Sequence, residues 1–252
     1  LLTLEKKLLE LPQGGTAVGS GVNAHKKFSK FFSEEISKLF KGKYKFVPSK
    51  NFYHELSAQD SSVQLSGELK NLAVVLMKIS NDLRWMNSGP LTGLSEIELQ
   101  ALQPGSSIMP GKVNPVIPEA VAMASADVIG NDVTITIAAQ SGSFQLNVML
   151  PLIAYNLLKS INLLSGSINA LSKKAIKTFK VKNKNLEIAL SKNPILVTAL
   201  NPIIGYEKAA LIAKKAYKEN RPIIDVASEE VDLPRSRLEK LLNPETLAKS
   251  RK

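Results

Sequence analysis

The sequence predicts an all-α fold made of long, closely packed helices. Two stretches, 61–85 and 150–171, carry apolar residues at alternating steps of three and four. That spacing is typical of helices packed nearly parallel in a bundle. A third stretch, 117–139, combines alanine and glycine with valine and isoleucine on several faces, as expected of a helix in the middle of a large bundle. These three helices form the core of the predicted fold.

The elements before and after the long helices are shorter. Four glycines within 11–21 favour a break in the first helical segment, and a helical pattern resumes over 26–41. Beyond residue 183 prolines recur and charge rises, with short amphipathic patterns that predict helices at 206–218, 222–231 and 234–242. We therefore predict two domains, a central helical bundle over 1–183 and a small helical domain over 184–252.

Composition and charge exclude several classes of protein. Of the 252 residues 44% are hydrophobic and 22% charged, which is ordinary for a globular protein with a core. Cysteine is absent, so disulfides and thiolate metal sites are excluded. No apolar run reaches the roughly 18 residues of a membrane span. For that reason we expect no membrane partner. The net charge of +11 comes from scattered lysines, with much of the excess at 173–184 and near the C-terminus. We interpret these lysines as a solvated surface and do not expect nucleic acid as a partner.

The segment 105–114 carries the candidate chemistry. It holds two serines, one lysine, one asparagine and two glycines, and it has no helical or strand periodicity. Glycines allow the backbone to approach a ligand closely, and the helix expected to begin near Pro115 has an electropositive end. We interpret the segment as an anion-binding loop with a reactive hydroxyl. The alternative is a solvated turn between helices.

This segment resembles the signature of the fumarase/aspartase superfamily. Further segments similar to class II fumarases follow in collinear order, at 14–23, 77–90, 130–132, 146–148, 197–202 and 204–210. Two features favour fumarase over aspartase, the form of 14–18 and Tyr206 after Gly205, where aspartases usually carry histidine. Aspartate ammonia-lyase, or another lyase of the superfamily, remains the alternative.

The resemblance implies the roles of the loop residues. Ser106 would be the catalytic base, which needs nearby positive charge to be held as an alkoxide. Lys112 and Asn114 would bind a carboxylate of the substrate. Ser107 would add a hydrogen bond or be structural only. Gly105 and Gly111 would shape the loop.

Glu119 follows in the first turns of the helix after the loop. By resemblance, its carboxylate would pair with a histidine from another subunit and so help to protonate the leaving hydroxyl. The alternative is an acid favoured only by the helix N-terminus. The resemblance thus implies a homo-oligomer, most simply a tetramer, whose long helices meet in a shared core.

The implied reaction is reversible hydration of fumarate to L-malate through an aci-carboxylate. It requires no metal and no other cofactor, and its implied setting is the bacterial cytoplasm or the mitochondrial matrix. Family members are much longer than this chain, so we expect a fragment with little activity of its own. A non-catalytic assembly module is the alternative. His25 and His54 match none of the family's motifs and are expected at the surface.

Overall fold

The computed structural model describes residues 2–103, 109 and 113–249. Within these ranges the chain forms α-helices and four strands of two residues each, so the predicted all-α fold is confirmed. The chain divides into two compact units, one of 1–85 with 99–179 and the other of 86–98 with 180–252. The domain boundary at residue 183 stays a prediction.

The first unit is built around three long helices. They are preceded by short elements in the order α1 (Leu2–Leu8), β1 (Glu10–Leu11), α2 (Phe28–Leu39), β2 (Val47–Pro48) and α3 (Phe52–Ser57). The long helices are α4 (Asp60–Met86), α5 (Val116–Gln140) and α6 (Leu150–Leu171), and α6 continues into a π-helical turn over Ser172–Ile176. Their bounds lie within one residue of those predicted from periodicity.

The glycine-rich break lies between α1 and α2. Strand β1 pairs in parallel with β2, with Glu10 opposite Val47. Gly19 adopts a φ of +99°, and a Cβ at this position would lie 2.6 Å from Tyr53 Cα. Only glycine combines that backbone conformation with such close contact to α3.

The predicted apolar stripe on α4 is only partly buried. Leu76 and Leu83 are buried, whereas Leu72 is 37% exposed. Ser66, Ala73 and Ser80 are buried instead and recur at seven-residue spacing. The buried face of α4 therefore does not coincide with its stripe of leucines and includes small residues. As a result, some leucine and valine side chains of this helix lie in solvent.

Helices α5 and α6 pack along most of their length. Ile135 and Ala138 of α5 and Ile153 of α6 form a buried apolar cluster. A buried hydrogen bond from Asn131 Nδ2 to Ser160 Oγ, 3.2 Å long, joins the same two helices. Burial of these side chains, rather than helix propensity alone, stabilises the pair.

A buried carboxylate links α4 to α5. Asp132 accepts hydrogen bonds from Ser66 Oγ at 2.7 Å and from Lys70 Nζ at 2.6 Å. Its side chain is 7% exposed, whereas that of Lys70 is 45% exposed. Because both carboxylate oxygens have partners, the buried charge is tolerated, and its loss would leave the buried Ser66 hydroxyl without its acceptor.

We expect Asp132→Asn to lower the free energy of unfolding by about 1–3 kcal/mol, the usual cost of disrupting a buried, charge-assisted hydrogen-bond group. Urea denaturation followed by circular dichroism measures the change. The matched control is Asp127→Asn on the same helix. Asp127 pairs with Lys159 at the surface, where their side chains are 42% and 36% exposed. We therefore expect a much smaller loss of unfolding free energy for this variant. Equal losses of unfolding free energy for the two variants would contradict the stabilising role assigned to the buried Asp132 group.

Helix α5 is long and apolar enough, by length and composition, to cross a membrane. The central helix of a helical bundle meets the same criterion. Asp127 and Asp132 both lie on α5, and each pairs with a lysine of a neighbouring helix. Val121, Val128 and Ile135 are buried in the unit. These contacts favour a bundle helix over a membrane span.

The second unit has its own core. Its elements are β3 (Ile97–Glu98), β4 (Lys180–Val181), α7 (Asn183–Ser191), a 3₁₀ turn over Pro194–Leu200, α8 (Asn201–Ile204), α9 (Tyr206–Glu219), α10 (Ile223–Glu230), α11 (Arg235–Leu241) and α12 (Pro244–Lys249). Antiparallel pairing of Ile97 with Val181 ties 86–98 to the C-terminal segment. The predicted helices at 206–218, 222–231 and 234–242 are confirmed as α9, α10 and α11 within one residue.

An ion-pair group joins α9 to α10 on the surface of this unit. The guanidinium of Arg221 binds Glu229, and Lys215 Nζ lies 3.3 Å from the same carboxylate. These cations, Arg221 first, lower the pKa of Glu229 below its ordinary value of 4.5. The ionised carboxylate therefore favours the folded state at neutral pH.

We expect Glu229→Gln to lower the melting temperature at pH 7 by no more than a few degrees, because the group is exposed. A carboxylate with a depressed pKa stabilises the fold above its unfolded pKa and loses that effect as pH falls through the folded value. The difference between variant and parent should therefore shrink below pH 4.5. Thermal melts from pH 7 to pH 3 test this, and a difference that grows in acid would contradict it.

Candidate active site

The described part of the candidate site is the N-terminal end of α5. Pro115 precedes the helix, and its carbonyl accepts a 3.1 Å hydrogen bond from Glu119 N. Asn114 and Glu119 are both half-buried. The first turn of a helix as long as α5 carries a partial positive charge, so this end attracts anions.

A small recess lies beside this helix end. It is lined by Leu99, Gln100, residues 115–118, Lys174 and Ala175. Lys174 belongs to the π-helical turn after α6. The lysine and the helix end therefore place two sources of positive potential around the same recess.

The recess is too small to be a complete ligand site. It encloses about 10 Å³, which is room for little more than one water molecule. Pockets that bind small molecules typically enclose roughly 300–1,000 Å³. The described residues therefore do not form a closed ligand pocket here.

Glu119 lies in the first turn of α5. Among the described residues, no lysine, arginine or histidine nitrogen lies within ion-pair distance of its carboxylate. Glu119 thus differs from Asp127 and Asp132 of the same helix, which both pair with a lysine.

Most of the predicted site falls outside the described residues. Five of the seven predicted positions lie there, namely Gly105, Ser106, Ser107, Gly111 and Lys112. The structure brings the other two, Asn114 and Glu119, to the same end of α5. The assigned roles of all seven stay predictions.

Sequence reasoning missed Lys174 and Gln100 as residues that border the candidate site. Lys174 lies in a cluster of lysines that was interpreted as a solvated surface. Only the packing of the π-helical turn against the start of α5 distinguishes it from its neighbours. π-Helical turns are frequent at functional sites, but their positions are not evident from sequence periodicity.

The two histidines lie at the surface, as expected. His54 Nε2 is 3.3 Å from Asp60 Oδ2, and His25 Nδ1 accepts a hydrogen bond from Lys27 N. In the part of the chain that the structure describes, no group of three or more histidine, aspartate or glutamate side chains could hold a metal ion.

Comparison with known proteins identifies the family. A protein-family model described as lyase matches residues 2–130, which is half of the chain. The chain belongs to this lyase family. A second model, described as fumarase C C-terminus, matches residues 196–249. The resemblance to class II fumarases inferred from the sequence is thereby confirmed.

Curated relatives of this chain are named fumarate hydratase class II. The chain is 63% identical over 240 residues to fumarate hydratase class II 2 of Pseudomonas aeruginosa, covering 95% of this chain and 52% of that protein. It is 57% identical to fumarate hydratase class II of Xylella fastidiosa, covering 96% of this chain and 51% of that protein. The chain therefore spans about half the length of the curated relatives it matches.

Solved structures agree on the fold. The chain superposes with a TM-score of 0.91 and 39% identity on a cobalt-bound structure titled fumarate lyase:delta crystallin from Brucella melitensis, covering 98% of this chain and 54% of that one. Against recombinant class II fumarase from Schistosoma mansoni the TM-score is 0.90 at 33% identity, with 99% and 56% covered. The predicted bundle of the fumarase/aspartase type is confirmed.

Proposed function

We propose that this lyase chain belongs to a class II fumarate hydratase that catalyses reversible hydration of fumarate to L-malate. The observation that carries the proposal is 63% identity to a class II fumarate hydratase across 95% of the chain. The cationic helix end and Lys174 support it, because fumarate and malate are dianions. The cytoplasm or the mitochondrial matrix stays the predicted compartment.

In the malate direction, the proposed base is the Ser106 alkoxide, which takes a proton from C3. The electrons of that C–H bond move into the neighbouring carboxylate and form an aci-carboxylate. Lys112 and Asn114 would stabilise the added charge, the first as a cation and the second as a hydrogen-bond donor. Loss of the C2 hydroxyl, protonated as it leaves, then yields fumarate and water.

The acid that protonates the hydroxyl is proposed to be a histidine of another subunit paired with Glu119. Two observations support a shared site: the recess is small, and Glu119 has no described cationic partner. The long helices also keep apolar side chains in solvent that a homotetramer would cover. The most exposed of them are Val74, Val75, Trp85, Met123, Val133, Ile137, Tyr155 and Leu158.

We infer that the 252-residue chain by itself has little or no hydratase activity, because it provides only part of this site. The test follows the absorbance of fumarate after adding the chain, with the intact protein in parallel. Turnover by the chain near that of the intact protein would refute the inference. Rapid turnover of L-malate by the intact protein supports the hydratase assignment, and ammonia release from aspartate would instead identify an aspartase.

A further inference from the structure

Ser95 has a strained backbone conformation just before β3. Its φ is +50°, in the left-handed region that residues other than glycine rarely adopt. The residue is also buried, with 5% of its surface exposed. Conformations of this kind cost free energy and persist only where neighbouring groups impose them, and they cluster at functional sites. The residues that hold Ser95 are therefore candidates for a functional role.

Every polar group of Ser95, in the backbone and in the side chain, has a partner. Its N–H donates to Ser88 O at 2.7 Å. Its carbonyl accepts a 2.8 Å hydrogen bond from Asn185 Nδ2, and its hydroxyl accepts a 3.3 Å hydrogen bond from Lys182 Nζ. Two of these partners belong to the C-terminal part of the second unit. We call Ser95, Lys182 and Asn185 the Ser95 anchor.

Lys182 also contacts the residues that follow Ser95. Its backbone N–H donates to Glu96 O at 2.8 Å, and its Nζ lies 3.6 Å from Glu98 Oε2. Between these contacts, Ile97 pairs with Val181 in the ladder of β3 and β4, which are two residues long each. A ladder this short is marginal by itself. The contacts of the Ser95 anchor are therefore needed to hold β3 in one position.

The chain continues from β3 directly into the candidate site. Leu99, the residue after β3, is buried and lines the recess beside the start of α5 together with Gln100. Ser106 follows Leu99 by seven residues in the sequence. At the other end of the candidate loop, Asn114 lies just before α5. In sequence, the loop therefore connects the strand held by the Ser95 anchor to the first turn of a long helix.

From these contacts we propose that Asn185 and Lys182 are positioning residues for the proposed hydratase reaction. They act through Ser95, because they fix the strand from which the chain continues to the proposed base, Ser106. The inference rests on the proposed function, which assigns that base. A misplacement of about 1 Å can cost roughly a hundredfold in rate, and supporting hydrogen bonds determine such placement. The Ser95 anchor is formed within this chain, so it does not depend on which other segment covers the surface.

A purely structural role for the same contacts is the alternative. The hydrogen bond from Asn185 would then stabilise the second unit without affecting the reaction. The two roles differ in what their loss changes. Loss of a positioning contact slows removal of the C3 proton in molecules that remain folded, whereas loss of a structural contact lowers the melting temperature and leaves the chemistry of the folded molecules unchanged.

Asn185→Asp in the intact protein tests the positioning role. The substitution keeps the size of the side chain but replaces the amide with an ionised carboxylate, which cannot donate to Ser95 O. We expect kcat for L-malate to fall roughly tenfold or more, with KM within about twofold of the parent. The deuterium isotope effect on kcat, measured with L-malate deuterated at C3, should rise. The reason is that misplacement of Ser106 slows the step that breaks this C–H bond.

Lys182→Met is the second variant. It removes the ammonium group and keeps the aliphatic part of the side chain and the backbone N–H that donates to Glu96 O. We expect kcat to fall and the isotope effect to rise in the same direction, by less than in Asn185→Asp. Circular dichroism verifies that each variant is folded, and Lys182→Met decides the outcome if Asn185→Asp does not fold.

Matched controls lie on α7 beside these residues. Asn183→Asp and Lys184→Met change the same residue types at exposed positions of that helix. Both controls should keep the kcat, KM and isotope effect of the parent. An unchanged isotope effect in the folded test variants, or an equal loss of kcat in the controls, would overturn the positioning role alone. A parent without hydratase activity would instead overturn the proposed function, and the positioning role with it.

Discussion

Ser106→Ala in the intact protein is expected to lower kcat by roughly 10²–10⁴-fold, the usual contribution of a positioned general base. The KM for L-malate should change little, because the carboxylate contacts assigned to Lys112 and Asn114 would remain. Steady-state kinetics in the malate direction measures both constants. Exchange of the C3 proton with solvent should fall in parallel, since that step needs the base.

Two variants of the same loop provide the comparison. Ser107→Ala removes a neighbouring hydroxyl of the same kind and should retain far more activity than Ser106→Ala. Lys112→Ala should raise KM as well as lower kcat, because its cation is assigned to both ground-state binding and charge stabilisation. Turnover of Ser106→Ala within about twofold of the parent would show that another group is the base.

Leu238→Ala is expected to cost about 2–5 kcal/mol of unfolding free energy in the second unit. Leu238 is completely buried, in a cluster that joins the 3₁₀ turn, α9, α10 and α11. Truncation would leave a cavity where four elements meet, and partial relaxation cannot fill it. Urea denaturation followed by circular dichroism should show a lower midpoint for the variant.

The control for this variant is Leu211→Ala. Leu211 lies on α9 in the same unit but is 66% exposed, so its truncation should leave the midpoint nearly unchanged. Similar losses for the two leucines would mean that the core of this unit is not packed as described.

The length and position of the helices were predictable because periodicity depends on local spacing alone. The stripe over 150–171 gave the bounds of α6, and the small residues of 117–139 marked the helix that packs centrally. Prolines and short amphipathic patterns located α9, α10 and α11 within one residue. Each of these signals acts over one or two helical turns, so it does not require knowledge of distant contacts.

The candidate site was predictable only in part. The family resemblance implied Asn114 and Glu119, and both lie at the start of α5. Lys174 is about sixty residues away in sequence and reaches the recess only through the packing of α6 and its π-helical turn against α5. No local spacing distinguishes it from Lys173 or Lys177.

Sequence alone determined that the chain is helical, where its long helices begin and end, and which family it resembles, because residue types and spacing record these directly. Tertiary structure alone decided which side of each helix is covered. In α4 Ser66 and Ser80 are buried while Leu72 is partly exposed, and in α2 Ser33 lies inward while Phe31 and Leu39 stay in solvent. The physical reason is that a helical pattern specifies an apolar face, whereas burial depends on what the rest of the fold places against it.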